Sequence, residues 1–268
     1  MTGVGDDPAS DAVIQSPANQ TLVLVRSLQR RAARATERAF VVEGRRAVGD
    51  ALETGARPRL LLVREGDEHL VPRDAALTET RVRAVAPRLF NGLTDTVSPQ
   101  GVLAIFPIPE VAAKTSSPFG PLALVLDHIR DPGNLGTLLR AAAGAGVDAV
   151  YVTPASVDPF NPKAVRAGMG AHFRIPLGPL DDATTSALMM NFSLRVVATA
   201  SGETPYDSLD WRQPALLVVG SESDGVSADL ARFGTVTAHV PLAFGVESLN
   251  AAVAGAVFLF EAARQRRA

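Results

Sequence analysis

Short apolar runs alternate with stretches of helical spacing along most of this 268-residue chain, but the two halves keep different rhythms. Between residues 22 and 39 apolar positions recur at helical spacing among arginines and alanines, which predicts a basic helix. Phe40-Val41-Val42-Glu43-Gly44 reads as a short strand, 45–54 as a helix stopped at Gly55, and 60–63, 82–85 and 101–106 as further strands. Together they predict a small α/β unit. Residues 1–20 are polar, aperiodic and rich in Asp, Pro, Gly and Ser, the pattern of a disordered tail.

Past residue 120 the alternation becomes regular. Strand-like runs at 122–126, 149–153, 194–200, 215–219 and 237–242 are separated by helical stretches near 135–145, 162–169, 181–191, 226–233 and 248–265. Strands alternating with helices predict a parallel sheet covered on both faces, and the nearly continuous apolar character of the strands agrees. A segment rich in Pro, Ser and Thr separates the halves. The expected organisation is therefore a tail at 1–20, a first domain at 21–108, a linker at 109–120 and a second domain at 121–268.

Composition narrows the class. Apolar residues make up 47% of the chain and charged residues 20%, which suits a globular protein and not a disordered one. The uncharged stretch from Ser248 to Phe260 is 13 residues long, too short to span a bilayer, so no membrane partner is expected. The first twenty residues lack a basic and an apolar region, so no secretory signal is expected. With no cysteine there is no disulfide, thiolate metal site or cysteine nucleophile, and a cytoplasmic location fits. His69, His128, His172 and His239 are scattered without metal-ligand spacing, so no metal is expected.

The net charge of −2 conceals an asymmetry, since residues 1–120 hold 15 basic and 14 acidic groups and residues 121–268 hold 11 and 14. Between 26 and 46 seven arginines face only Glu37 and Glu43. Arg26, Arg30, Arg31, Arg34 and Arg45 are therefore candidates to grip a polyanion through bidentate guanidinium contacts. A solvated Arg-rich helix would look the same.

Three segments of the second half carry candidate chemistry. The first strand is followed not by a glycine-rich dinucleotide loop but by Asp131-Pro132-Gly133-Asn134, a turn of type II signature in which Asn134 can cap a helix beginning at Leu135. Arg140 follows six residues later. Val218-Val219-Gly220-Ser221-Glu222-Ser223-Asp224-Gly225 runs from a strand into a polar loop, where Glu222 could orient a basic partner such as Arg140. Val240-Pro241-Leu242 leads to Glu247-Ser248-Leu249-Asn250, with Ser248 expected to cap the last helix and Asn250 just inside it, a poor helix position that asks for another use of its amide.

In that order and at that spacing, the three segments resemble motifs 1, 2 and 3 of the SpoU (TrmH-like) branch of the SPOUT RNA methyltransferases. The first domain, with Phe40-Val41-Val42-Glu43-Gly44-Arg45 after a basic helix, resembles the ribosomal-protein-like substrate-binding domain many members carry. The resemblance implies a deep trefoil knot, a homodimer and transfer of a methyl group from S-adenosylmethionine to a ribose 2′-hydroxyl of RNA. It implies that Thr199, Ala200, Gly220, Val240, Leu242, Ser248 and Leu249 hold the cofactor. Arg140, Asn134, Glu222, Ser248 and Asn250 would form the catalytic and RNA-facing set. Leu242, Phe244 and Gly245 depart from the usual third motif, as do Ala251 and Ala252, and Ser223-Asp224 departs from the second, which alters loop shape and substrate fit. Ribosomal RNA is the expected substrate because of the first domain. The alternatives are transfer RNA, a resistance-conferring ribosomal RNA methylation, and a non-catalytic assembly factor of the same fold.

Overall fold

In the computed structural model residues 12–72, 77, 80–94, 96, 99–110, 117–243 and 245–267 are described. The chain divides into two units, Met1–Pro109 and Glu110–Ala268. Residues 1–11 of the expected tail and 111–116 of the expected linker lie outside the described residues, as does Phe244.

The first unit runs α1 (Gln20–Ser27), α2 (Arg31–Glu37), β1 (Ala39–Glu43), α3 (Arg45–Glu53), β2 (Leu60–Arg64), β3 (Arg81–Val85), α4 (Pro87–Asn91) and β4 (Val102–Pro107). Its sheet has the order β1-β4-β2-β3, antiparallel at both β4 edges and parallel between β2 and β3. Leu22, Val25 and Leu28 pack with Phe90 against Val41, Leu62, Leu103 and Ile105. The single basic helix expected at 22–39 is instead two helices. The first closes in a tighter turn, Gln29 N and Arg30 N donating to Arg26 O and Ser27 O at 3.3 and 2.9 Å, and the Leu28 carbonyl beyond it accepts from Arg34 Nη1 at 2.8 Å. Arg38, left-handed at φ 46°, then turns the chain into β1. Residues 12–20 are not a free tail: Ile14 is buried and exchanges backbone hydrogen bonds with Ala84 O and Ala86 N at 2.8 and 3.0 Å, adding a short bridge beside β3.

The second unit contains β5 (Leu122–Leu126), α5 (Pro132–Ala145), β6 (Ala149–Val152), α6 (Pro162–Gly168), β7 (Leu177–Pro179), α7 (Asp182–Asn191) and β8 (Leu194–Ala198). It continues with β9 (Thr204–Pro205), β10 (Ala215–Val219), α8 (Ala228–Ala231), β11 (Val236–His239) and α9 (Ala251–Arg266). Seven parallel strands lie in the order β7-β6-β5-β10-β8-β11-β9. Leu124, Leu126, Leu217 and Val219 face α5 and α9 in one core, whereas Val125, Leu216 and Val218 face α7 and α8 in another. Both faces are covered, so β5 and β10 in the middle of the sheet are apolar and buried at every position.

The chain steps outward from β5 to β7, then crosses over and builds the other side of the sheet, placing β10 beside β5. Such a reversal leaves a crevice at the carboxyl ends of the adjoining strands, the usual ligand position in open α/β sheets. α9 closes over this region because Gly255 lets it approach α5: a Cβ there would meet Leu138 Cδ2 at 2.5 Å. The far end of α9 is tied down by Arg266, whose Nη1 donates to Trp211 O and Gln213 O at 2.8 and 2.9 Å.

Candidate active site

Three loops converge at the reversal. After β10, Gly220 opens a tight turn in which Ser221 and Gly225 exchange backbone hydrogen bonds at 3.1 and 3.0 Å. Any side chain at 220 would collide with the returning strand, since a Cβ would lie 2.1 Å from the Gly225 carbonyl. Gly225 takes φ 68°, a conformation glycine adopts at little cost. The turn projects Glu222 toward the first turns of α5 and α9.

Glu222 Oε1 accepts from Asn134 Nδ2 at 2.9 Å, from the Ala251 backbone N–H at 3.2 Å and from Asn250 Nδ2. Asn250 Nδ2 also donates to Asn134 Oδ1 at 3.0 Å. One carboxylate thus gathers side chains from all three sequence segments, and charge-assisted hydrogen bonds of this kind are stronger than neutral ones.

Two caps differ from expectation. Asp131, not Asn134, caps α5, its Oδ1 accepting the Asn134 backbone N–H at 2.8 Å, and Pro132 occupies the first helical position. An Asp followed by Pro is a better helix start than a type II turn, because the missing proline N–H is not needed there. Asn134 therefore sits inside the helix with its amide free for Glu222. In α9 the cap is Asn250, not Ser248: its Oδ1 accepts from Ala252 N at 3.0 Å and Val253 N at 3.2 Å while its Nδ2 joins the network. Both ends of this amide are used.

Arg140 lies exposed in the third turn of α5 and makes no hydrogen bond or ion pair among the described residues. The expected pairing with Glu222 is not made. Six helical residues separate Arg140 from Asn134, about 9 Å of rise and two-thirds of a turn in azimuth, and Glu222 faces the helix start. Arg140 is left as a cation presented outward.

Beside the network a cavity of about 200 Å³ opens at the carboxyl ends of β8 and β10. Thr199, Ala200, Gly220, Val240, Leu242, Ser248 and Leu249 all line it, with Glu222 on its rim. Sequence reasoning missed Ala251, Ala254 and Phe258, which form its helical wall. Their spacing of three, four and seven was the available signal.

In the first unit Arg30, Arg31 and Arg45 are exposed and Arg26 is half-buried, donating to Pro17 O at 2.7 Å. Arg34 does not belong with them. It is 3% exposed and spends its guanidinium on the Leu28 carbonyl that ends α1. Among the described residues no group of three or more His, Cys, Asp and Glu could hold a metal, and no helix is long and apolar enough to cross a membrane.

A reversed parallel sheet, a mixed polar and apolar cavity at its strand ends and a buttressed carboxylate at the rim define an α/β enzyme domain built around a small cofactor. Residues 121–260 match the model of the SpoU rRNA Methylase family, and the chain belongs to that family. Residues 19–104 match the MRM3-like substrate binding domain. The chain is 32% identical to the 23S rRNA (guanosine(2553)-2′-O)-methyltransferase RlmP of Bacillus subtilis, over 92% of this chain and 97% of that protein. It is 34% identical to the mitochondrial rRNA methyltransferase 3A of Danio rerio, over 94% of this chain and 70% of that one. A crystal structure of an AdoMet-bound rRNA methyltransferase from Sinorhizobium meliloti superposes with a TM-score of 0.80 at 29% identity, covering 94% and 97% of the two chains.

Proposed function

We propose that this protein transfers a methyl group from S-adenosylmethionine to a ribose 2′-hydroxyl of ribosomal RNA. The observation that carries the reading is the Asn134–Glu222–Asn250 network standing at the mouth of the cavity. The relatives named above act on ribosomal RNA, and the Sinorhizobium structure holds AdoMet.

The cavity's chemistry fits that cofactor. Val240, Leu242, Leu249 and Phe258 offer apolar contact to a purine, while the backbone at Gly220 and the hydroxyls of Thr199 and Ser248 offer donors and acceptors to its polar edges. When bound, S-adenosylmethionine supplies an electrophilic methyl group on sulfonium sulfur. The chain's own task is alignment, and holding a reacting hydroxyl in line can supply much of a rate enhancement. Glu222 Oε1 is committed to three donors, so its role is to fix Asn134 and Asn250. Arg140, outward-facing and without a protein partner among the described residues, binds the target phosphate or polarises the hydroxyl. A guanidinium holds its proton too tightly to serve as an ordinary base.

In the same reading the first domain, 21–108, finds RNA through Arg26, Arg30, Arg31 and Arg45. The second domain, 121–268, threads α9 through the knot the resemblance implies. A homodimer belongs to it as well, supported by Val253 and Phe260, half-exposed apolar side chains two turns apart on α9. A cytoplasmic location is part of the same reading. The test is incubation with methyl-labelled S-adenosylmethionine and total RNA, then primer extension to map the modified nucleotide. One 2′-O-methylated ribosomal position is expected. Cofactor binding without label in any RNA would overturn the enzymatic reading in favour of a binding factor.

A further inference from the structure

Asp127 is the first residue beyond β5, and its side chain is 1% exposed. A buried carboxylate is costly unless its oxygens are satisfied, and apolar packing gives no reason for one here. Its partners supply the reason. The Asp127 backbone N–H donates to Val219 O at 2.9 Å, immediately before Gly220, and Asp127 Oδ2 accepts the Ser227 backbone N–H at 2.7 Å, just after Gly225. A single residue therefore grips both ends of the turn that carries Gly220, Ser221, Glu222 and Gly225 into the cavity wall.

The second carboxylate oxygen acts on the other segment of the site. Asp127 Oδ1 lies 2.7 Å from His128 Nδ1, and His128 sits at φ 55°, a left-handed conformation that among non-glycine residues is taken mostly by Asn, Asp and His. Its backbone N–H is held by Thr153 Oγ1 at 3.2 Å, and the next one, of Ile129, by Ser156 Oγ at 3.0 Å. The chain leaving this left-handed turn enters the Asp131 cap and Asn134.

We propose that Asp127 is a positioning residue for methyl transfer: it fixes the 220–227 turn and the 128–134 segment relative to each other, and thereby the cavity wall and the Asn134–Glu222 contact. Asp127 is absent from the cavity lining, so it acts through the residues it holds. The inference rests on the methyltransferase reading for its consequence but not for its geometry.

Three variants test it. Ser227→Pro deletes the N–H donor while keeping Asp127, and the Ser227 φ of −58° already suits proline. Asp127→Ala removes both acceptors, and the double variant reports their coupling. Calorimetry with S-adenosylmethionine should show affinity falling about tenfold in Ser227→Pro and Asp127→Ala, with the double variant no weaker than Asp127→Ala, as expected for a hydrogen bond to a charged group. Steady-state rates should show a raised KM for the cofactor with kcat changed less. Hydrogen exchange on the cofactor-free protein should show faster exchange at 220–227 in Ser227→Pro while β5 and β10 stay protected.

A wild-type protein that binds no S-adenosylmethionine would sink the functional reading, and the exchange experiment would still decide the role of Asp127. Unchanged protection at 220–227 in Ser227→Pro would overturn the proposal. So would unchanged cofactor affinity in Ser227→Pro and Asp127→Ala when the wild type binds. Should Asp127→Ala fail to fold, Ser227→Pro and Asp127→Asn, which keeps one acceptor for Ser227, carry the same comparison.

Discussion

Asn134 and Glu222, 88 positions apart in sequence, are joined by a 2.9 Å hydrogen bond from Nδ2 to Oε1. The bond exists because β5 and β10 are neighbours in the sheet, so that the helix start after one strand faces the turn after the other. Asn250 enters the same contact from the start of α9. The order of strands, more than any local propensity, assembles the site.

Glu222 is therefore the residue whose loss separates the three segments. Glu222→Ala should lower methyl transfer by roughly 10²-fold, the scale of a catalytic group displaced by about an ångström. Stability should fall by only about 1 kcal/mol, since the lost hydrogen bonds lie near solvent. Glu222→Gln keeps an acceptor and should fall between the two. Label incorporation and urea unfolding on the same preparations measure both effects, and an alanine variant with full activity would remove Glu222 from the site.

Arg140 gives the opposite separation. Arg140→Ala should abolish methyl transfer while leaving S-adenosylmethionine affinity within about twofold and stability within about 0.5 kcal/mol, as for an exposed side chain without partners. Arg140→Lys should recover only part of the rate, because an ammonium lacks the planar fork that grips phosphate or hydroxyl oxygen. Parallel losses of activity and affinity, seen by calorimetry, would mean that Arg140 supports the cavity instead.

The two polar residues before α9 divide stability from cofactor contact. Asn250 caps the helix through Ala252 N and Val253 N, so Asn250→Ala should cost about 1–2 kcal/mol as well as activity. Ser248 lines the cavity without capping anything. Ser248→Ala should leave the unfolding midpoint nearly unchanged and weaken cofactor binding severalfold. Reversed sensitivities in thermal melts would restore Ser248 as the cap.

Much of this fold could be read from hydrophobic pattern, because strands buried on both faces must be apolar throughout. The strands that escaped, Leu177–Pro179 and Thr204–Pro205, are too short and too rich in Gly and Pro to show a period. The caps were misassigned where two competent residues stood within three positions, a choice made by tertiary partners. At the break between α1 and α2 Gln29 Nε2 donates to Leu93 O, 64 residues away, a partner that no local window contains. Which residues of the three segments would converge at the cavity was legible but their pairing was not: opposite charge suggested Glu222 with Arg140, whereas the sheet order delivers two asparagines.

Arg34 and Arg31 are three residues apart on α2 and should behave as different kinds of residue. Arg31 is exposed, and Arg31→Ala should weaken RNA binding with a shallower salt dependence, as expected when one phosphate contact is removed. Arg34→Ala should cost about 1–3 kcal/mol through the buried Leu28 carbonyl it leaves unsatisfied. Filter binding across a salt series, set beside urea unfolding, distinguishes them. Equal effects of both variants on RNA affinity in folded protein would return Arg34 to the RNA surface.

His172 should make this protein sensitive to mild acid. It is 1% exposed in the short 3₁₀ turn Ala171–Phe173, its Nε2 2.7 Å from Pro159 O and its ring against Phe160 at 5.6 Å between centroids. Burial pushes its pKa down from 6.5 to about 4, against the weaker opposing pull of the Pro159 carbonyl and Asp158. The unfolded chain therefore binds a proton between pH 6.5 and about 4 that the folded chain does not. The contribution of neutral His172 to stability is complete above pH 6.5 and drains away as pH falls, by about 3 kcal/mol at pH 4. His172→Gln can keep a donor to Pro159 O without titrating. Urea unfolding at pH 7 and pH 4 should show the wild type losing about 3 kcal/mol more than His172→Gln across that interval, and parallel losses in the two proteins would refute the assignment.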